Sequence, residues 1–210
     1  MVKKRACVFI SGKGSNLNSL IQNTRNYNFP ININLVVSNN YSAEGILYAK
    51  KNSIPYFVIN TKQRSFENLI LKKIKKNKIE IICLAGYMKI LSKKFIRNFG
   101  KKILNIHPSL LPKFPGLNTH QRAIDDKEKW HGCSVHVVTE ELDGGPSIMQ
   151  AKVSINDDDD AITLSSRVLK TEHKIYKKVL QLLVSGKLEY KNNDIWLNKK
   201  RLKRPIEMIF

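Results

Sequence analysis

Short, nearly continuous apolar runs of strand length alternate with segments of helical spacing through the first half of this chain, and that alternation restricts the fold more than any other feature. Residues 5–11 read as a buried strand, 17–24 as a helix and 33–38 as a second strand. The pattern continues with a helix at 43–52, a strand at 55–59, a helix at 65–76, a strand at 79–85, a short helix near 92–98 and a strand at 103–107. Parallel strands need crossover connections of about a dozen residues, usually helices, so the alternation predicts an α/β fold. The expected architecture is an open, mostly parallel twisted sheet flanked by helices. In such sheets ligands collect at the carboxyl ends of the strands.

Beyond residue 107 the signals change. Pro108, Pro112, Pro115 and Gly116 bar regular structure from the following loop, after which 119–126 has the pattern of a short helix. Strands at 133–138 and 148–153 bracket Leu142-Asp143-Gly144-Gly145-Pro146, where a turn is nearly forced. A long helix at 161–185 and a terminal hairpin at 187–197, turning at Asn192-Asn193, complete the reading. The acidic run 157–160 reads as an exposed loop entering that helix, where negative charge is favoured.

A 42% apolar fraction over 210 residues suits one domain with a sizeable core. The basic run 1–5 is followed by too few apolar residues for a signal peptide or a membrane span, so a cytoplasmic location is expected. Cys7, Cys83 and Cys133 are odd in number, widely spaced and set in strand-like runs, which fits buried hydrophobes rather than a disulfide framework or a zinc site. The formal charge of +20 is unevenly spread. Residues 1–102 hold 20 Lys or Arg against 3 acids, 103–160 hold 5 against 10, and 161–210 hold 12 against 4. Clustered cations suggest nucleic acid, yet these are mostly dispersed lysines without the aromatic interleaving that stacks bases. The expectation is a solvated basic surface attractive to small anions, without specific nucleic-acid binding.

Three places carry chemistry. The first strand runs into Ser11-Gly12-Lys13-Gly14-Ser15-Asn16 before a helix, so its glycines permit a tight turn while free amides at the helix start face an anion. Leu17 occupies the third glycine position of a dinucleotide fingerprint, which leaves a phosphate monoester or a plain strand-to-helix turn. Asn105 and His107 lie two residues apart in the strand before Pro108 and therefore share a face. Asp143 sits in a turn-forming sequence. Placed beside His107, its carboxylate would stabilise the imidazolium and raise the histidine pKa; His136, in the preceding strand, is a candidate structural neighbour.

Together, Ile10 to Leu17, Leu84-Ala85-Gly86-Tyr87-Met88-Lys89-Ile90-Leu91, Asn105 to Lys113 with Phe114-Pro115-Gly116, and Glu141 to Pro146 closely resemble the glycinamide ribonucleotide formyltransferases, a folate-dependent formyltransferase family. The resemblance covers nearly the whole chain. It implies transfer of a formyl group from 10-formyltetrahydrofolate, as co-substrate, to the amine of glycinamide ribonucleotide in purine biosynthesis, with no metal. By position it implies a catalytic trio of Asn105, His107 and Asp143, and a ribonucleotide site of Gly14, Ser15, Asn16, Arg64, Lys170 and Glu172. The folate site would comprise Met88, Lys89, Ile90, Leu91, Asn105, Thr139, Glu140, Glu141, Leu142 and Asp143. It further implies a single formyltransferase domain over 1–210, with the phosphate and ribonucleotide half in 1–102 and the catalytic and folate half in 103–210. A monomer or homodimer without membrane partners, and a cis bond at Leu111-Pro112, are expected.

Lys89 departs from the arginine common in such relatives, and its ammonium lacks the planar fork that pairs with a carboxylate. Methionyl-tRNA formyltransferase and formyltetrahydrofolate deformylase share the fold, but the first ordinarily carries a further C-terminal domain and the second an N-terminal regulatory domain. The present length argues against both. A binder of nucleic acid or anionic metabolites that had lost catalysis is the alternative of a different class, and the intact trio argues against it.

Overall fold

The computed structural model describes residues 3–210, so Met1 and Val2 of the basic amino-terminal run lie outside the described residues. Two compact units divide the chain, one ending at Asn105 and the other running from Ile106 to Phe210. The first unit alternates as its sequence requires: β1 (Lys4–Ile10), α1 (Ser15–Thr24), β2 (Ile31–Ser38), α2 (Gly45–Lys51), β3 (Tyr56–Val58), α3 (Phe66–Lys76), β4 (Ile81–Leu84), α4 (Lys93–Phe99) and β5 (Lys102–His107), whose last two residues open the second unit. These strands lie in the order β5-β4-β1-β2-β3, every pair parallel. Flanked on both sides, β1 carries the unbroken run Ala6 to Ile10 without exposure, as expected of a strand covered on both faces.

Helix α1 starts two residues before the expected position because Gly14, at φ 73°, turns the chain directly into it. A Cβ on Gly14 would lie 2.5 Å from the Gly45 Cα, so the backbones of this turn and the start of α2 approach too closely for any side chain. Helix α4 is bounded by Ser92, whose hydroxyl accepts the Phe95 N–H, and by Gly100 in the left-handed conformation.

In the second unit, α5 (Thr119–Asp125) precedes β6 (Trp130–Val137) and β7 (Ser147–Ser154), an antiparallel pair. The long α6 (Ala161–Val184) follows, then the small antiparallel sheet β8 (Leu188–Lys191), β9 (Asp194–Leu197) and β10 (Lys200–Arg201), and finally β11 (Ile206–Ile209), which runs parallel to β7. Leu164, Val168, Thr171, Ile175, Val179 and Leu183 repeat at three- and four-residue spacing and give α6 the buried stripe that packs on β6 and β7. Asn192 and Asn193 both adopt positive φ, 54° and 62°, as a two-residue hairpin turn requires.

The α/β class, the mostly parallel open sheet, the long helix and the hairpin agree with the sequence. Strands β10 and β11 do not appear in that reading. Both are short, and the partner of β11 lies more than fifty residues earlier, beyond the range of any local pattern. Strand β6 begins at Trp130 rather than at 133, because its pairing with β7 continues through Trp130↔Ser154. The acidic run departs from a plain exposed loop: Asp160 caps α6 reciprocally with Thr163, and Asp159 is drawn inward against Arg167. All three cysteines are free and buried. Among the described residues no helix is long and apolar enough to cross a membrane.

Candidate functional site

The first unit supplies the turn 11–16, at the carboxyl end of β1. Its geometry is fixed by main chain and amides. The Ser11 N–H donates to the Gly86 carbonyl at 3.0 Å, the Asn40 amide donates to the Ser11 carbonyl at 3.0 Å, and the Ser11 hydroxyl joins Asn39 Oδ1 to the Met88 N–H at 2.5 and 2.7 Å. The Gly45 N–H closes onto the Gly12 carbonyl at 3.0 Å. Ser15 opens α1, which has no acidic residue in its first turn, so the amino end of that helix favours an anion. Asn16 is buried, whereas Arg64 and Lys89 are exposed. Met88 and Ile90 are each 67% exposed beside buried Leu91, an apolar surface left to water.

The second unit supplies a cluster of side chains. His107, 5% exposed at the end of β5, presents Nδ1 to Asp143 Oδ2 at 3.4 Å and Nε2 to the Phe114 carbonyl at 2.9 Å. The same Asp143 oxygen accepts the Gly116 N–H at 3.0 Å, while its other oxygen faces His136 Nε2 at 3.6 Å. His136 in turn meets the Val137 carbonyl through Nδ1 at 3.1 Å. Asp143 is held in the left-handed conformation, φ 50°, within the turn joining β6 to β7. That turn presses close: a Cβ on Gly145 would fall 1.8 Å from the Val137 carbonyl oxygen. The Leu111-Pro112 bond is cis.

Electrostatics correct one expectation. Asp143 does push the His107 pKa upward, as does the Phe114 carbonyl, but burial is the larger influence and the net direction is down. Burial also pushes Asp143 up, yet its bonds from His136 and Gly116 and the charges of His107 and His136 bring it below the usual carboxylate value. The carboxylate is therefore the stable charge of the pair. The imidazole is a proton carrier held between two acceptors, and only its doubly protonated form donates to both.

The structure thus brings His107 and Asp143 together and adds His136 as a direct neighbour of the carboxylate. Asn105 shares the His107 face of β5 by strand alternation. Lys170 and Glu172 part company on α6, Lys170 exposed and Glu172 buried, as two positions two apart on a helix must. Thr139 is half-buried, and Glu140, Glu141 and Leu142 project outward near Asp143. Sequence reading missed the Phe114 carbonyl and the Gly116 N–H, main-chain partners that no residue type announces. It also missed the packing of His120 against His131, ring centroids 5.0 Å apart, with Phe114 edge-on to His131 at 6.1 Å.

Residues 4–180 match a family model described as formyl transferase. A phosphoribosylglycinamide formyltransferase of Haemophilus influenzae is 41% identical over 203 residues, covering 95% of this chain and 96% of that protein. The human trifunctional purine biosynthetic protein adenosine-3 is 42% identical over 195 residues, which are 91% of this chain and 19% of that longer protein. Among solved structures, the phosphoribosylglycinamide formyltransferase of Coxiella burnetii superposes with a TM-score of 0.93 at 39% identity, covering 98% of this chain and 99% of that one.

Proposed function

The chain belongs to the formyl transferase family, in its phosphoribosylglycinamide formyltransferase branch, and from that membership and the geometry above we propose that it moves a formyl group onto the amine of glycinamide ribonucleotide in cytoplasmic purine biosynthesis. The supporting observation is the Asp143 carboxylate, which meets His107 and the Gly116 N–H with one oxygen and His136 with the other. Such a carboxylate fixes the ring orientation of a histidine and stabilises the charge it acquires.

In this reading the residues of 1–102 recognise the ribonucleotide and those of 103–210 do the chemistry. Gly14, Ser15 and Asn16 hold the phosphate through main-chain amides, with Arg64 as a further phosphate or ribose contact and Lys170 and Glu172 near the ribonucleotide. Met88 to Leu91 and Thr139 to Asp143 hold the folate, whose flat ring suits exposed apolar side chains such as Met88 and Ile90. 10-Formyltetrahydrofolate supplies the formyl carbon.

Asn105 and His107 hydrogen-bond the charge that develops on the formyl oxygen as the amine attacks. Asp143 steadies the imidazolium, and the proton shed by the amine passes through water to the Asp143 carboxylate and on to the folate nitrogen, whose bond to the formyl carbon breaks as tetrahydrofolate leaves. His107 Nε2 is already engaged by the Phe114 carbonyl, so that carbonyl must yield before the ring can serve an oxyanion. Holding the amine against the formyl carbon supplies much of the acceleration, roughly 7 to 11 kcal/mol for well-aligned partners. The protein is proposed to act as a monomer or homodimer.

Formyl transfer from 10-formyltetrahydrofolate to glycinamide ribonucleotide is the direct test. His107→Ala is expected to lower turnover by about 10²- to 10⁴-fold while leaving ribonucleotide affinity within a factor of about three. A wild-type protein without turnover that bound RNA in a salt-sensitive manner would refute the reading.

A further inference from the structure

We infer that the first unit carries a second anion site, at the amino ends of its strands, suited to a phosphate monoester with a hydroxylated body of sugar-phosphate size. A cavity of about 480 Å³ opens there, lined among others by Arg5, Arg25, Asn34, Asn52 and Asn77. Arg5 is the second residue of β1, Asn34 lies in the first half of β2, and Asn77 ends α3. The phosphate turn leaves the opposite end of β1, six residues and about 20 Å from Arg5. The two places are therefore separate.

The simplest account of basic residues here is that they satisfy carbonyls at helix carboxyl ends. Lys3 does so fully, donating to the Thr24 and Asn26 carbonyls at 2.8 and 2.9 Å. The arginines are only partly used. Arg5 gives Nε to the Asn77 carbonyl at 2.7 Å, and Arg25 gives one terminal nitrogen to Asn52 Oδ1 at 3.1 Å. Among the described residues, both terminal nitrogens of Arg5, and the Nε and other terminal nitrogen of Arg25, find no protein acceptor. No carboxylate lines the cavity. Glu80, which accepts the Arg5 main-chain N–H, spends its charge on Lys4 at 2.6 Å.

Arg5, which also borders a neighbouring cavity holding Glu80, and Arg25 both line this one with donors to spare, and two full positive charges suit a dianionic phosphate monoester. Neutral hydrogen-bonding residues, Asn32, Asn52 and Ser53 among them, complete the lining beside the arginines and suit a hydroxylated body. The volume exceeds what inorganic phosphate needs and falls in the range of small-ligand sites.

Calorimetric titration of the full chain with ribose 5-phosphate tests the site, using Gly12→Asp to place a carboxylate at the phosphate turn. The Gly12 Cβ position has open space around it, so this change weakens any hold of that turn on phosphate without disturbing the fold. Gly12→Asp should still bind ribose 5-phosphate, and adding Arg25→Ala should weaken that binding at least tenfold. Arg25 is exposed, and an unchanged melting temperature, or the same loss in Arg25→Gln, separates lost recognition from lost structure. Absence of binding in Gly12→Asp, or equal binding with and without Arg25, would overturn the site. Inorganic phosphate binding as tightly as ribose 5-phosphate would overturn the assignment of a hydroxylated ligand. The comparison stands whether or not the turn itself binds phosphate.

Discussion

The turn after β1 is built from main chain, whereas the cluster around Asp143 is built from side chains drawn from three stretches of sequence. The first needs small residues and a fixed conformation: Gly14 at φ 73° with no room for a Cβ, and hydroxyl and amide ties around Ser11. The second needs chemical identity, because burial holds the basicity of His107 down while hydrogen bonds and neighbouring charges keep Asp143 ionised beside it. Substitution should accordingly separate affinity from turnover, and each of the following outcomes would sharpen that contrast or break it.

The largest effect is expected from Asp143→Asn. The amide keeps the shape of the side chain but removes the charge that opposes the burial of His107, so turnover should fall by about 10³-fold with ribonucleotide affinity nearly intact. Steady-state kinetics beside direct binding would show it, and parallel losses in both would erase the distinction between the two regions.

Acid comes next. All five histidines belong to the second unit, and burial together with neighbouring histidine charge pushes both His120 and His131 down to about 4. Unfolded, each would titrate near 6.5, so between those values the unfolded state binds more protons. The stabilising contribution is complete above about pH 6.5 and is lost as pH falls toward 4, by a few kcal/mol for the pair. Hydrogen exchange should show the second unit losing protection over that interval while the first keeps its own. Uniform loss would mean that the histidine pair is not the cause.

Gly12→Asp should weaken ribonucleotide binding by about tenfold through repulsion, with turnover at saturation little changed. It is a cleaner probe than Ser15→Pro, which removes an amide but places proline after Gly14 at ψ 26°, a backbone angle that proline disfavours in its predecessor. The smallest effect is expected of Lys89→Arg. On an exposed side chain the planar fork should lower the folate KM about two- to threefold at constant kcat, and a change in kcat would move Lys89 into the chemistry.

The same contrast governs how far each region is legible in the sequence. Glycines and the strand-to-helix transition announce the turn at 11–16, because its function and its local conformation have one cause. Asn105 and His107 are legible as a pair through strand alternation alone. Asp143 lies thirty-six positions beyond His107 in the sequence, and only the resemblance to a known family joins them; composition would have left it a turn residue. The balance of forces on His107 is less accessible still. A carboxylate neighbour predicts a raised pKa, whereas the near-complete burial of the ring, a property of the finished packing, reverses the direction. The Phe114 carbonyl is hidden for another reason. Phe114 adopts φ 53°, a conformation sparsely populated by residues other than glycine and not inferable from a phenylalanine.

Strand β11 bears on the order in which a nascent chain can acquire these parts. The turn at 11–16 and every strand pairing that frames it involve residues before 106, so they can mature while the remainder is still being translated. The turn bearing Asp143 hangs from β6 and β7, and one edge of β7 stays unpaired until Ile206–Ile209 clears the ribosome. During synthesis, the turn at 11–16 would take its shape before the strand that braces the turn bearing Asp143 exists.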